Sequence, residues 1–383
     1  MNILNLTLTP FVNETRILKE SRTLTESGLF STIFVAAVQK ESDKTTRSSE
    51  NGLVASRFPL ASRQIPLRSA ALIAMYLEYG VKAWKAHRND HITCVTAHSL
   101  GTLPIALVLA KIWTAKCVYD AHELETEVEG LHGKMQRVAR WLEKRLISKP
   151  DLIIVVSESI ADWYQQTYAI KRPVVVLNSP VLKPSVTSNI LREKLAIDDA
   201  KRIVIYQGFL TTGRGVELTL QAFKDPAIAP KLALVFMGYG PLDHMIREAQ
   251  KTNDSIYLLP AVPPDDVMIH TASADIGLAL IANTCLSYYL CMPNKLFEYS
   301  MVGLPVIASD MKEMANFVQK HGLGRVLEDY TSSSLVKELN LLASTDAKTM
   351  QKNSSAIISQ FSWEAQEVKL LDAYQAIFKK SVD

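Results

Sequence analysis

Short runs rich in Val, Ile and Leu alternate with stretches of helical period along this chain, and the alternation halts once and begins again. Apolar runs bounded by polar loops suit strands buried on both faces, and a helix between each pair suits a parallel crossover. Strands are expected at residues 2–8, 31–38, 92–97, 115–120, 152–156 and 174–177, with helices at 16–27, 67–88, 103–113, 134–149 and 159–167. Asn178-Ser179-Pro180-Val181-Leu182-Lys183-Pro184 has the composition of a linker. Beyond it, strands at 202–207, 232–237, 255–259, 276–280 and 305–308 alternate with helices at 217–223, 242–249, 264–272, 295–302 and 311–320. A last amphipathic helix opens at Phe361-Ser362-Trp363, with Ser362 placed to cap it, and runs through Phe378. The expected class is α/β: two doubly wound domains, 1–178 and 179–360, then a terminal helix over 361–383. Each sheet offers a crevice at its strand carboxyl ends, and two such domains frame a cleft.

At 383 residues, 48% hydrophobic and 21% charged, the chain can bury a large core without metal or disulfide support. Cys94, Cys117, Cys285 and Cys291 form no CxxC pair and no zinc spacing, so free thiols in a reducing compartment are expected. The start lacks a basic leader, and no window is long and apolar enough for a membrane span. Residues 1–178 carry 22 Lys/Arg against 17 Asp/Glu, or +5, while the remainder carries 20 against 22, or −2. A basic first half favours an anionic surface or acceptor. No basic stripe interleaves with aromatics, so nucleic acid is not expected as a partner.

Met292-Pro293-Asn294-Lys295-Leu296-Phe297-Glu298-Tyr299 holds the sharpest chemical signal. Proline and asparagine stand where a helix would begin, a lysine lies in its first turn and a glutamate one turn later. Helix N-termini gather unpaired N–H donors and positive potential, so a cation added there suits a diphosphate. The carboxylate suits a sugar's pair of hydroxyls. The alternative is a capped helix with an exposed Lys–Glu pair. Tyr206-Gln207-Gly208-Phe209-Leu210-Thr211-Thr212-Gly213-Arg214-Gly215 follows a strand and leads into a helix. Glycines admit a phosphate close to the backbone and Arg214 adds a permanent forked cation, although the loop also reads as a tight turn. Gly238-Tyr239-Gly240-Pro241 is a second strand-end glycine loop, able to pass beside a nucleotide or simply to turn.

In the first half, Tyr119-Asp120-Ala121-His122-Glu123 closes a strand and sets His122 at its carboxyl end; Thr96-Ala97-His98-Ser99 does the same for His98. A histidine there can bond a sugar hydroxyl, or be a satisfied strand-end residue. The loop bearing Pro10 and Asn13 borders the expected cleft. The 134–147 and 67–88 segments mix basic residues with Trp and aliphatics, which suits either a sheet-covering helix or contact with an anionic membrane. No Asp-X-Asp, Gly-X-Ser-X-Gly or His-Glu-X-X-His motif occurs.

Together these residues resemble the GT-B glycosyltransferases, within the large retaining family-four type, in a subgroup with Pro-Asn-Lys-Leu-Phe-Glu. Asn13 to Glu20 resembles the family's first loop and helix, Tyr119 to Glu123 its active-site histidine segment, Gly208 to Gly215 its phosphate loop, Pro293 to Glu298 its ribose motif, and Phe361-Ser362-Trp363 the helix that returns to the first domain. The resemblance implies two Rossmann-like domains, acceptor-binding then nucleotide-sugar-binding. It implies catalytic roles for His122, Arg214 and Lys295. It implies a donor site of Gly208, Phe209, Gly240, Leu290, Asn294, Leu296 and Glu298, and cleft-loop roles for Pro10, Asn13 and His98, with no metal and no cofactor. Two positions depart from the pattern: Leu290 stands where the family has its first glutamate, and Phe209 where an arginine follows the glycine, leaving Arg214 at the family's lysine place.

The expected activity is retaining transfer of a sugar from a nucleotide-diphosphate donor to a glycan or lipid-linked acceptor, in bacterial surface-polysaccharide or glycolipid assembly. A cytoplasmic protein is implied, with the inner face of the plasma membrane left open. Two rivals stand: a non-hydrolysing nucleotide-sugar epimerase and a non-catalytic nucleotide-binding partner subunit.

Overall fold

The computed structural model describes residues 1–12, 14–40, 47–50, 52–64, 68–182, 188–228, 230–344 and 354–379. Asn13, Leu67, Lys183 and Pro184 therefore lie outside the described residues. The chain divides into two compact units, residues 1–176 with 367–383, and residues 177–366.

The first unit is built on β1 (Asn2–Leu6), β2 (Thr32–Val38), β3 (Arg47–Glu50), β4 (Leu53–Phe58), β5 (Ile92–Ala97), β6 (Lys116–Ala121), β7 (Leu152–Val155) and β8 (Val174–Val175). They lie in the order β3-β4-β2-β1-β5-β6-β7-β8, all neighbours parallel except β3 with β4. β1, β2 and β6 are buried almost end to end, as expected where helices cover both faces. The β3–β4 ribbon is an addition to the expected strands. Its Arg-Ser-Ser-Glu edge is polar because an edge strand faces water.

The second unit carries β9 (Arg202–Phe209), β10 (Leu232–Tyr239), β11 (Ile256–Pro260), β12 (Ile276–Ala279), β13 (Val306–Ser309) and β14 (Gly324–Leu327). Their order is β11-β10-β9-β12-β13-β14, and every neighbouring pair is parallel. β14 was not expected; its Gly-Arg-Val-Leu is too short and mixed to stand out. The expected helix over 264–272 is a tighter turn, Pro264–Asp266, followed by Val267–Thr271. The expected terminal helix is Trp363–Lys379, with Ser362 directly before it, and a helix that was not expected, Ser354–Phe361, precedes it.

In each sheet strand order reverses direction once, between β1 and β5 and between β9 and β12. Loops leaving these strands diverge to opposite faces and open a crevice there. All the motifs singled out above sit on such carboxyl ends or on the helices that follow. All four cysteines are free thiols, and among the described residues no helix is long and apolar enough to cross a membrane.

Candidate functional site

In the second unit the helix Asn294–Met301 begins directly after an extended Pro293, so Lys295 falls in its first turn and Glu298 one turn on. Leu296 and Phe297 point into the core, fully buried, which fixes the helix and turns Lys295 and Glu298 toward β9. The N–H of Leu296 is taken by the Pro293 carbonyl at 3.0 Å, and its buried side chain anchors the helix. Asn294 is half-buried at the helix start.

Lys295 reaches back over the end of β9. Its Nζ lies 3.8 Å from the centre of the Tyr206 ring, a cation held on an aromatic face. Gly208 adopts φ +119°, and a Cβ there would stand 3.9 Å from the same Nζ. The missing side chain thus leaves backbone and ammonium facing one space. Arg214 packs its guanidinium 4.1 Å over the Tyr288 ring. Burial first, and the charge of Arg214 second, push the Lys295 ammonium down to about 7, against the pull of Glu298. Lys295 as a whole residue is half-buried.

Glu298 accepts a hydrogen bond from the Gln207 side-chain amide. Gln207 in turn accepts from the Thr271 hydroxyl at 2.8 Å, and its backbone N–H donates to the Tyr299 hydroxyl at 3.2 Å. The carboxylate is therefore held at a fixed place beside the strand end. Gly240 allows the β10 loop to run against β9: a Cβ there would meet the Leu210 carbonyl at 2.2 Å. Phe209 and Tyr239, 52% and 63% exposed, stand edge to face at 5.4 Å on these two strand ends. Leu290 is buried at the end of the short helix Leu286–Tyr289 and brings no polar atom to the surface through its side chain.

In the first unit a polar cluster fills the crevice between β1, β5 and β6. Asp120 is fully buried and receives Arg16 through both oxygens, at 2.9 and 2.7 Å, while a third guanidinium nitrogen donates to the Val176 carbonyl. That cation holds the Asp120 carboxyl well below its usual range despite burial. Burial pushes Glu20, next to Arg16, up to about 8. His122 Nε2 lies 3.0 Å from Asp120 Oδ2 and 3.1 Å from His98 Nδ1. His98 turns its other nitrogen to the Asn5 side-chain oxygen at 3.0 Å. Its Nδ1 also lies 3.2 Å from Asp120 Oδ2, so that nitrogen faces both the carboxylate and His122. Burial lowers the proton affinity of His98, against the pull of Asp120. His122 is partly exposed, the member of the cluster open to a ligand.

The ligand-capable atoms of His98, Asp120 and His122 lie within 4.8 Å of one another. Because Arg16 already occupies both Asp120 oxygens, the arrangement reads as a hydrogen-bond network that orients His122. Pro10 is half-buried, its carbonyl receiving Arg57 Nε at 3.1 Å; Asn13 lies outside the described residues.

Thus the second unit gathers Gly208, Arg214, Lys295 and Glu298 about the end of β9, and the first gathers His98 and His122 at the end of β5 and β6. Gln207, Tyr206, Tyr288, Asp120 and Arg16 complete these sites without having been singled out for roles. Tyr206, Gln207 and Asp120 stand inside the motifs quoted above, but nothing in a strand-end residue announces its partner. Arg16 could be found only by asking what neutralises a carboxylate on a buried strand.

Residues 14–181 match Glycosyltransferase Family 4, and residues 187–358 match Glycosyl transferases group 1. No curated protein matches the chain. Among solved structures, the sucrose-phosphate synthase of Thermosynechococcus elongatus aligns at TM-score 0.77 and 15% identity, over 99% of this chain and 100% of that one. HepE of Anabaena, in complex with UDP-glucose, aligns at 0.73 and 15% identity, over 98% and 100%. WaaG, a glycosyltransferase involved in lipopolysaccharide biosynthesis, aligns at 0.69 and 15%, over 97% and 98%. With both halves matched in order and the fold shared along its length, the chain belongs to the GT-B glycosyltransferases built from these two domain families.

Proposed function

We propose that this chain moves a glycosyl unit from a nucleotide-diphosphate sugar to a hydroxyl of a glycan or lipid-linked acceptor in surface-polysaccharide or glycolipid assembly. The proposal includes retention at the anomeric carbon and no metal ion. The observation that carries it is the placing of Lys295, its ammonium 3.8 Å over the Tyr206 ring and facing Gly208, with the charge of Arg214 acting on it. Like charges gathered in an enclosed place cost stability unless an anion is to join them. A diphosphate fits that need, and Glu298, fixed by Gln207, suits the ribose hydroxyls.

In the proposed step the bond from the sugar's anomeric carbon to the diphosphate oxygen breaks. The acceptor oxygen bonds to the same face of that carbon, and its proton passes to the departing phosphate. Lys295 and Arg214 stabilise the charge that grows on the leaving group, and this electrostatic support is expected to lower the barrier more than any other interaction in such a transfer. His122, oriented by Asp120 and His98, takes the role given by family resemblance, positioning the sugar or steadying positive charge on its ring. The UDP-glucose held by HepE supports trying a uridine donor first.

Incubation of donor with an acceptor panel, read by NMR of the anomeric proton, tests the proposal; a product of the donor's own anomeric configuration supports it, and inversion overturns retention. Donor converted to a second sugar without acceptor would favour an epimerase. The buried Leu290 favours one further reading, a nucleotide-binding subunit without catalysis; nucleotide binding with no transfer across the panel would support it.

A further inference from the structure

We propose that His98, Asp120 and His122 form a reversible site for a divalent transition ion of the zinc type, and that the bound ion inhibits transfer. The inhibition rests on the role proposed above for His122; the binding does not.

The three ligand atoms make a nearly regular triangle at the ends of β5 and β6. His98 Nδ1 lies 3.1 Å from His122 Nε2 and 3.2 Å from Asp120 Oδ2, and His122 Nε2 lies 3.0 Å from that same oxygen. An imidazole nitrogen has one place in the plane of its ring, filled by either a proton or a lone pair. With both nitrogens bare, all three atoms are acceptors. With one protonated, the other nitrogen still faces the carboxylate as acceptor to acceptor. With both protonated, two N–H groups face each other. No placing of protons on the two rings satisfies all three contacts at once. A single cation among them does, because each atom then gives it a lone pair. At the usual ~2.0–2.1 Å from its ligands, an ion fits this triangle slightly off its plane.

The surroundings support the ligands and choose the ion. The far nitrogen of His98 meets the Asn5 side chain at 3.0 Å, and Arg16 grips Asp120 at 2.9 and 2.7 Å. Partners of this kind fix the orientation of metal ligands. Arg16 Nε uses one lone pair of Asp120 Oδ2, and a carboxylate oxygen has a second to give. The side chains of His98 and Asp120 are buried while that of His122 is 26% exposed, so the ion is reached from the His122 side. Two imidazoles and one carboxylate favour zinc-type ions over Mg²⁺ or Ca²⁺, which prefer oxygen ligands. The Arg16 charge beside the carboxylate opposes a second cation, which makes the ion an exchangeable occupant and not a structural one. Once bound, it adds positive charge beside a sugar ring that itself becomes positive in the proposed step.

Zinc chloride titrated into the metal-stripped full chain, followed by calorimetry, needs neither donor nor acceptor. One ion per chain is expected, held in the micromolar range, with no response to magnesium chloride. His122→Ala, and separately His98→Ala, should each weaken zinc binding by at least about tenfold. His122 is partly exposed, so its variant reads the site even where loss of the buried His98 disturbs the fold. The same zinc range should inhibit transfer by wild type, and EDTA should restore the rate. No binding, magnesium binding as tight as zinc, variants that hold zinc like wild type, or bound zinc that leaves the rate unchanged would overturn the inference. A chain that binds zinc through these residues but transfers no sugar keeps the site and rejects the proposed transfer instead.

Discussion

The Nζ of Lys295 lies 3.9 Å from the point a Cβ of Gly208 would occupy, and the absent side chain leaves the ammonium facing the strand-end backbone. Anything lodged there meets a cation and a helix N-terminus together. Lys295→Ala, and separately Glu298→Ala, should lower turnover at saturating donor by about a hundredfold or more. Steady-state kinetics on both variants check this, and near-normal rates in both would reject the site assignment.

Donor affinity should depend on pH through Lys295. Its ammonium, lowered to about 7, loses its proton as pH rises through that value, whereas a bound diphosphate favours the charged form. Affinity for the diphosphate should therefore fall above about pH 7, by up to roughly tenfold per unit, until the pKa of the complex is reached. Lys295→Arg keeps its charge and should flatten that profile. Calorimetric titration across the range reads both.

Lys295 should also cost stability. The unfolded chain binds its proton more tightly than the folded one, so folding gains as pH rises from about 7 toward the ordinary lysine value. Lys295→Met removes an enclosed cation beside Arg214 and should melt a few degrees above wild type while losing donor binding. A lower melting temperature would mean that the ammonium stabilises the free protein.

Arg16 should matter for folding more than for chemistry. Removing it strands the fully buried Asp120 carboxylate. Arg16→Leu should cost about 3–5 kcal/mol, read by denaturant unfolding.

Excess EDTA should leave transfer unchanged, because Lys295 and Arg214 supply the charge a divalent ion would bring. Activity that requires added metal would contradict that assignment, and His98, Asp120 and His122 would then be the place to look.

The α/β class and most strands were legible because buried parallel strands must be apolar along their length, as Ile33 to Val38 and Leu232 to Met237 are. β3 escaped because an edge strand is polar, and β4 beside it because Leu-Val-Ala-Ser-Arg-Phe is mixed, although the Asn-Gly pair at 51–52 is a hairpin signal. Lys295 and Glu298 were legible because a helix start concentrates them in sequence. Tyr206 and Tyr288 were not, since ring-to-cation contacts join residues far apart in the chain. Likewise Asp120 gave no sign of Arg16, which stands on another element.

Thermal unfolding of wild type and Lys295→Ala with UDP, GDP, ADP and dTDP tests the central claim most directly, since a ligand that binds the folded state raises the melting temperature. One of the four should raise that of wild type by a few degrees and leave Lys295→Ala unmoved. No shift with any nucleotide, or an equal shift in both proteins, would contradict the account.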